Sequence, residues 1–203
     1  YDRAAGLYRQ SRTLLTAPAD LAIADLALGG ILMAAGDASG AKAVYEAALQ
    51  VATTVDAPGI ALNLGQALLA LGDASALDRF EQAASLAEAS GDQPTRVAAL
   101  LAVGEAQLAS GRAETAFATF KSCGALARDL GIADLSWRAW HGIGRASRAR
   151  GADGLAPLRN AVSSLEESRR GLEGLDPWAV RHFVADRRQV YLDLVDALLA
   201  SGD

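Results

Sequence analysis

The chain has 203 residues, of which 51% are hydrophobic and 21% are charged, and its net charge is −5. This balance argues against general nucleic-acid binding, which needs an excess of cationic side chains to neutralise phosphates. The single cysteine excludes a framework of disulfide bonds and favours a reducing compartment, so we expect a cytoplasmic protein. Because no apolar run is long enough to span a membrane, we expect no membrane partner, and nothing indicates a cofactor.

The strongest pattern is a set of glycine pairs whose members lie seven residues apart, each first glycine following an aliphatic residue. Successive pairs are separated by 36, 39 and 40 residues. The pairs are Gly29/Gly36, Gly65/Gly72, Gly104/Gly111 and Gly144/Gly151. A fixed period of this length predicts a repeat protein, and stacked repeats form extended binding surfaces more often than active sites.

Between these glycines, apolar residues recur every three or four positions, which predicts amphipathic helices. In chain order, the predicted pairs are about 20–35 with 39–54, 59–71 with 74–90, 94–110 with 113–130, and 133–150 with 154–173. Each first glycine lies inside a helix, where it costs about 1 kcal/mol against alanine. We therefore expect a partner helix to approach it closely. Each second glycine is expected to end its helix in a left-handed conformation.

The second helices carry a small, an aromatic and a small residue at spacings of four and three. These sets are Ala41–Tyr45–Ala48, Ala76–Phe80–Ala83, Ala116–Phe120–Cys123 and the degenerate Gly154–Leu158–Ala161. The pattern resembles the tetratricopeptide (TPR) family of helix-turn-helix repeats, although the period exceeds that family's usual 34 residues. The resemblance implies an all-α fold, a right-handed α-solenoid of about ten helices in one domain.

On this resemblance, both ends of the chain look like truncated repeats. The expected divisions are a second helix at 1–17, repeats at 20–56, 58–91 and 93–131, a degenerate repeat at 132–174, and a terminal helix at 177–203. A repeat without its neighbour exposes an apolar face. We therefore expect a stretch of a larger protein, and self-association through the exposed ends is left open.

The last segment departs from the plain repeat. Residues 165–172 read Leu-Glu-Glu-Ser-Arg-Arg-Gly-Leu, and a break at Asp176-Pro177 precedes residues 178–183 and the helix 191–199. This order resembles the last repeats before the CHAT domain of bacterial TPR-CHAT proteins, which implies a caspase-like peptidase domain beyond Asp203 and a sensing or docking role here. The alternative is the sensor region of a large bacterial ATP-dependent transcription regulator, which has similar long-period repeats.

Catalytic and metal-binding candidates are few. Cys123 with His141 or His182 would be a conceivable nucleophile and base, but Cys123 occupies a small, buried repeat position without a catalytic signature around it. No histidine or cysteine has a second ligand at helical spacing, so we expect no metal site. Glu166 and Glu167 are adjacent and point apart on a helix; they are expected to be solvated or to pair with the arginines one turn on. We predict no enzymatic activity in this chain.

A row of basic residues on one helix, a basic stripe, is a better candidate for a binding site than the catalytic and metal-binding candidates above. Arg138, His141, Arg145 and Arg148 follow spacings of 3, 4 and 3, which place them on one face of a helix. The TPR resemblance implies that this face lines a concave groove, to which earlier repeats contribute Leu62, Gln66, Leu69, Leu101, Glu105 and Leu108, preceded by Ile23, Leu26 and Met33. The predicted function is a non-catalytic scaffold that binds a peptide or protein, holding its acidic group with the basic residues. The alternative, that these arginines solvate a helix face or pair with neighbouring acids, stays open.

Overall fold

The computed structural model describes residues 1–170 and 187–202, and within these ranges the chain forms ten α-helices and no strand. The helices are α1 Asp2–Arg12, α2 Pro18–Ala34, α3 Ala38–Val51, α4 Ala57–Ala70, α5 Ala76–Ser90, α6 Gln93–Ala109, α7 Ala113–Asp129, α8 Ala133–Ala149, α9 Leu155–Arg170 and α10 Arg188–Ser201. From α2 to α8, every helix end lies within three residues of its predicted position, and α9 begins one residue from its predicted start. The predicted all-α fold class is confirmed.

The chain divides into two compact units, residues 1–99 and 100–203, and the division falls inside α6. In the first unit, each helix from α1 to α5 packs against the next. In the second unit, α7 packs against α8, α8 against α9, and α9 against α10. Helical hairpins are thus the building blocks of both units.

The first glycine of each pair lies under a large side chain of the following helix. A Cβ atom at Gly65 would lie 2.5 Å from the ring of Phe80, and one at Gly104 would lie 2.6 Å from the ring of Phe120. Gly29 stands in the same relation to Tyr45, and Gly144 to Leu158. All four large side chains are buried. The predicted close approach is confirmed, and it accounts for glycine inside these helices.

The second glycine of each pair ends its helix as predicted. Gly36, Gly72, Gly111 and Gly151 have φ angles of +82°, +69°, +75° and +79°. At the first of these ends, the N–H of Gly36 donates to the carbonyl of Met33, and the N–H of Asp37 donates to that of Leu32. This pair of bonds is the Schellman motif, which satisfies helix carbonyls that would otherwise lack partners.

In the described ranges, half of the residues of the hydrophobic core are alanines, which lets helices approach each other closely. One charged residue interrupts it: Asp25 on α2 is only 2% exposed, and its Oδ1 atom accepts a hydrogen bond from Nε of Arg12 on α1 at 2.6 Å. The other carboxylate oxygen of Asp25 is buried and has no hydrogen-bond partner in the described part of the chain. This ion pair joins α1 to α2 at the cost of a partly unsatisfied carboxylate.

Candidate functional site

Two residues of the predicted groove bind each other. Nη1 of Arg145, on α8, donates to Oε1 and Oε2 of Glu105, on α6, at 3.0 and 2.7 Å. Their side chains are 38% and 42% exposed, so the pair lies at the surface of the second unit. The acid that Arg145 contacts in this structure therefore belongs to the chain itself, as the alternative interpretation of the stripe allows.

His141 is turned toward α10. It is buried, and its Nε2 atom lies 2.7 Å from Oδ2 of Asp193. Nε2 of Gln189 donates to the other oxygen of that carboxylate at 2.6 Å. Burial lowers the pKa of His141 below its usual 6.5, and the hydrogen bond that His141 makes to the carboxylate of Asp193 opposes this only in part. The lowered pKa favours the neutral imidazole, and because a carboxylate only accepts, we assign the hydrogen to Nε2, which then donates to Asp193.

Arg138 and Arg148 are the members of the stripe that face solvent. Nη1 of Arg148 lies 3.4 Å from the backbone oxygen of Asp193, which it reaches as a donor. Of the four predicted basic residues, these two are the exposed ones.

The apolar part of the predicted site divides into exposed and buried members. In the first unit, Leu69 on α4 is 53% exposed and Gln66 is exposed beside it, whereas Leu62 is half-buried against a core of small residues. In the second unit, Leu101 on α6 is buried and Leu108 is half-buried. Leu69 is the predicted leucine best placed to meet a partner, while Leu101 belongs to the core.

Cys123 occupies the buried position that the repeat pattern predicts. It has no exposed surface, and burial raises the pKa of its thiol to about 12, against a smaller opposing effect of the charge on Arg138. At neutral pH the thiol is protonated, which does not suit a nucleophile. His182 lies outside the described residues. Among those that are described, no group of three or more His, Cys, Asp and Glu residues could hold a metal ion, and no helix is long and apolar enough to cross a membrane.

Part of the C-terminal segment that resembles TPR-CHAT proteins is described. Glu166 accepts a hydrogen bond from Nε of Arg169 at 2.7 Å, which confirms the expected pairing of an acid with an arginine one turn on. Its other oxygen accepts from the hydroxyl of Tyr191, on α10, at 2.5 Å. Residues 178–183 lie outside the described residues.

A pocket in the second unit was not predicted from the sequence. It has a volume of about 800 Å³ and lies between α7, α8 and α9. Its lining combines Phe117, Trp140 and Ile143 with the charged residues Lys121, Arg128 and Glu167 and with several serines and small residues. A signal for it exists in the sequence: Gly124 stands where the other second helices carry Leu49, Ala84 and Val162.

No family model and no curated protein sequence matches the chain. Among solved structures, BtubC (BKLC) from P. vanneervenii is similar over 100% of this chain and 82% of its own, with a TM-score of 0.77 and 17% identity. A Rap conjugation gene regulator of plasmid pLS20, in complex with the Phr* peptide, matches 88% of this chain and 53% of its own, with a TM-score of 0.57 and 17% identity.

The Signal Transduction ATPase with Numerous Domains (STAND) protein from Pyrococcus horikoshii, which has a tetratricopeptide repeat sensor, matches 100% of this chain. The match covers 36% of the STAND chain, with a TM-score of 0.63 and 14% identity. At such identities these likenesses show the fold alone, and that fold is a TPR-like array of helical hairpins.

Proposed function

We propose that the chain is a non-catalytic interaction scaffold that binds a peptide or protein partner. The observation that carries this proposal is the exposure of Leu69 on the same face of α4 as Gln66 and the half-buried Leu62. Contiguous exposed apolar patches with polar residues around them are typical of partner surfaces, and we assign Leu69 and Leu62 to such a patch. The likeness to a Rap regulator solved with a peptide supports the same class of function.

The proposal assigns an acidic group of the partner to Arg138 and Arg148. Their guanidinium groups are suited to bidentate hydrogen bonding with a carboxylate. Arg145 and His141 already contact Glu105 and Asp193, so their first role is to hold α8 against its neighbours. Arg145 would join the partner site only by exchanging Glu105 for the partner's carboxylate.

A displayed library of random peptides tests both the apolar contact at Leu69 and the acidic-group contact at Arg138 and Arg148. Peptides selected on the unmodified chain are measured by fluorescence anisotropy against Leu69→Ser and against Arg138→Glu/Arg148→Glu. Removing a leucine contact is expected to weaken binding roughly tenfold. The matched controls are Leu14→Ser, which removes another exposed leucine, and Arg3→Glu/Arg9→Glu, which makes the same change of charge on α1.

Loss of binding in Leu69→Ser, with Leu14→Ser unaffected, would support the surface proposed on the first unit. Loss in Arg138→Glu/Arg148→Glu, with Arg3→Glu/Arg9→Glu unaffected, would support the surface proposed on the second unit. If the selected peptides bind all variants equally, the assigned surface is wrong. If Leu69→Ser alone weakens binding, the apolar contact is supported and the role given to Arg138 and Arg148 is wrong.

We further propose that the chain is the sensing or docking region of a TPR-CHAT peptidase, which is supported by the sequence resemblance of residues 165–199. The second candidate, a sensor region of a large ATP-dependent regulator, is favoured by the likeness to the STAND sensor. The source gene distinguishes them: a mixed α/β peptidase pattern after Asp203 supports the first, whereas further repeats of about 40 residues and an ATPase support the second.

A further inference from the structure

The pocket between α7, α8 and α9 has the character of a ligand site, separate from the surface proposed above. Its volume of about 800 Å³ lies within the range of small-molecule sites, roughly 300–1,000 Å³. Ile143 on α8 is buried, and Trp140 and Phe117 are half-buried, so these three apolar side chains form the deep part. The exposed residues of the lining, which form the rim, include all three of its charged side chains.

Small residues on α7 keep the pocket open. On α7, Gly124 and Ala125 leave space where α3 carries Leu49 and Gln50. A Cβ at Gly124 would meet only ordinary contacts, 3.4 Å from the Cβ of Ala139, so no close helix contact demands this glycine. This differs from the glycines under Tyr45, Phe80 and Phe120, whose side chains fill the space that a Cβ would take.

Charge divides the rim into two sides. Lys121 and Arg128 lie on α7 seven residues apart, about 10 Å along the helix. Nζ of Lys121 lies 5.8 Å from the centroid of the Phe117 ring, and Cζ of Arg150, which also pairs with Glu114, lies 4.2 Å from it. Nε of Arg128 also lies 3.5 Å from Oδ1 of Asp129. Both side chains are exposed, so this ion pair contributes little to stability.

Glu167, on α9, is the charged side chain of the opposite wall, where Ser164 and Ser168 add hydroxyl groups. The hydroxyl of Ser168 donates to the backbone oxygen of Ser164. An anionic ligand group would thus be repelled from α9 and attracted to α7.

We propose that this pocket binds a small organic anion with an apolar body, whose carboxylate lies at Lys121 and Arg128 and whose body packs on Trp140, Phe117 and Ile143. The aromatic side chains favour a flat or ring-shaped body, because offset stacking adds to apolar burial.

The test uses 8-anilinonaphthalene-1-sulfonate, an aromatic anion whose fluorescence rises in apolar sites. We expect one site per chain in a titration of the full 203-residue protein. Ala125→Trp and Ser164→Trp fill the pocket from opposite walls, and each is expected to weaken binding at least about tenfold. The matched control is Ser85→Trp, because Ser85 is exposed at the position of α5 that corresponds to Ala125. Circular dichroism checks that each variant keeps its helices.

The charge assignment has its own test. Lys121→Glu/Arg128→Glu is expected to weaken binding of the probe by roughly tenfold, and Glu167→Gln is expected not to weaken it. In competition, 3-phenylpropanoate should displace the probe, whereas 3-phenylpropylammonium, which has the same ring and chain, should not. Unchanged binding in both pocket-filling variants would overturn the site. Equal displacement by the acid and the amine would overturn its preference for anions.

Discussion

Arg145 on α8 donates two hydrogen bonds to the carboxylate of Glu105 on α6, and these two residues are 40 positions apart in the chain. Because both side chains are partly exposed, we expect a small coupling energy of about 0.5–1 kcal/mol between Arg145→Ala and Glu105→Ala. Urea unfolding of the single and double variants measures it. The coupling should fall at about 1 M salt, where screening is strong. A coupling above about 2 kcal/mol, or one that salt leaves unchanged, would contradict this assignment of the pair to the surface.

Gly29 and Gly30 are neighbours in α2 with opposite surroundings. A Cβ at Gly29 would overlap the ring of Tyr45, whereas one at Gly30 would meet no atom within 4 Å. Gly29→Ala is therefore expected to destabilise the protein by about 1–3 kcal/mol, through overpacking. Gly30→Ala is expected to stabilise it by up to about 1 kcal/mol, through helix propensity. Thermal and urea unfolding compare the two variants directly, and a destabilised Gly30→Ala would refute the account.

Removing the buried Asp25 should cost less stability than removing its ion-pair partner Arg12. Arg12→Ala leaves its carboxylate buried without compensation and is expected to cost about 1–3 kcal/mol. Asp25→Ala removes the unsatisfied oxygen as well, and the next repeat carries Ala61 at the corresponding position. We expect Asp25→Ala to be neutral or stabilising, as replacement of buried charges often is. The free energies of unfolding of both single variants and of the double variant measure this. If Asp25→Ala lowers the free energy of unfolding as much as Arg12→Ala does, this expectation is wrong.

The stability of the fold is expected to depend on the protonation of His141. Burial lowers the pKa of His141, so the folded protein binds fewer protons than the unfolded chain from pH 6.5 downward to the folded-state pKa. Stability should therefore be fully present above pH 6.5 and fall as the solution is acidified through this window. Asp193, Glu105 and Arg145 face the imidazole and modulate the effect.

Urea unfolding at about pH 7.5 and about pH 5.5 measures this dependence. His141→Gln keeps a donor for Asp193 without a titrating group, so its stability should change less between the two pH values. An equal change in both proteins would assign the dependence to other groups.

The repeat pattern allowed much of the fold to be predicted. Gly104 and Phe120 are one such case, because glycine in a helix interior and a large residue on the next helix both follow from a single close contact. Helix ends were predictable where Gly36 and its counterparts take positive φ angles. These are local constraints, and they recur in each repeat.

The contacts of the candidate site were harder to predict. The spacing placed Arg145 on one helix face, but which acid it meets depends on how α6 lies beside α8. Asp193, the partner of His141, lies beyond the recognisable repeats, where no period relates the two positions. The pocket depends on what is missing at Gly124. Alignment of the second helices shows that glycine, but it does not show which side chains of α8 and α9 surround the gap.

Glycines on two helices enclose the ring of Phe120. A Cβ at Gly104 would lie 2.6 Å from that ring and one at Gly142 would lie 2.5 Å from it, so the ring is held between α6 and α8. A half-turn of the ring needs more space than the two glycines leave, and helices must separate briefly to provide it. We expect the two sides of the Phe120 ring to give distinct NMR resonances that exchange slowly. Their exchange rate would then measure how often the hairpins of the second unit open.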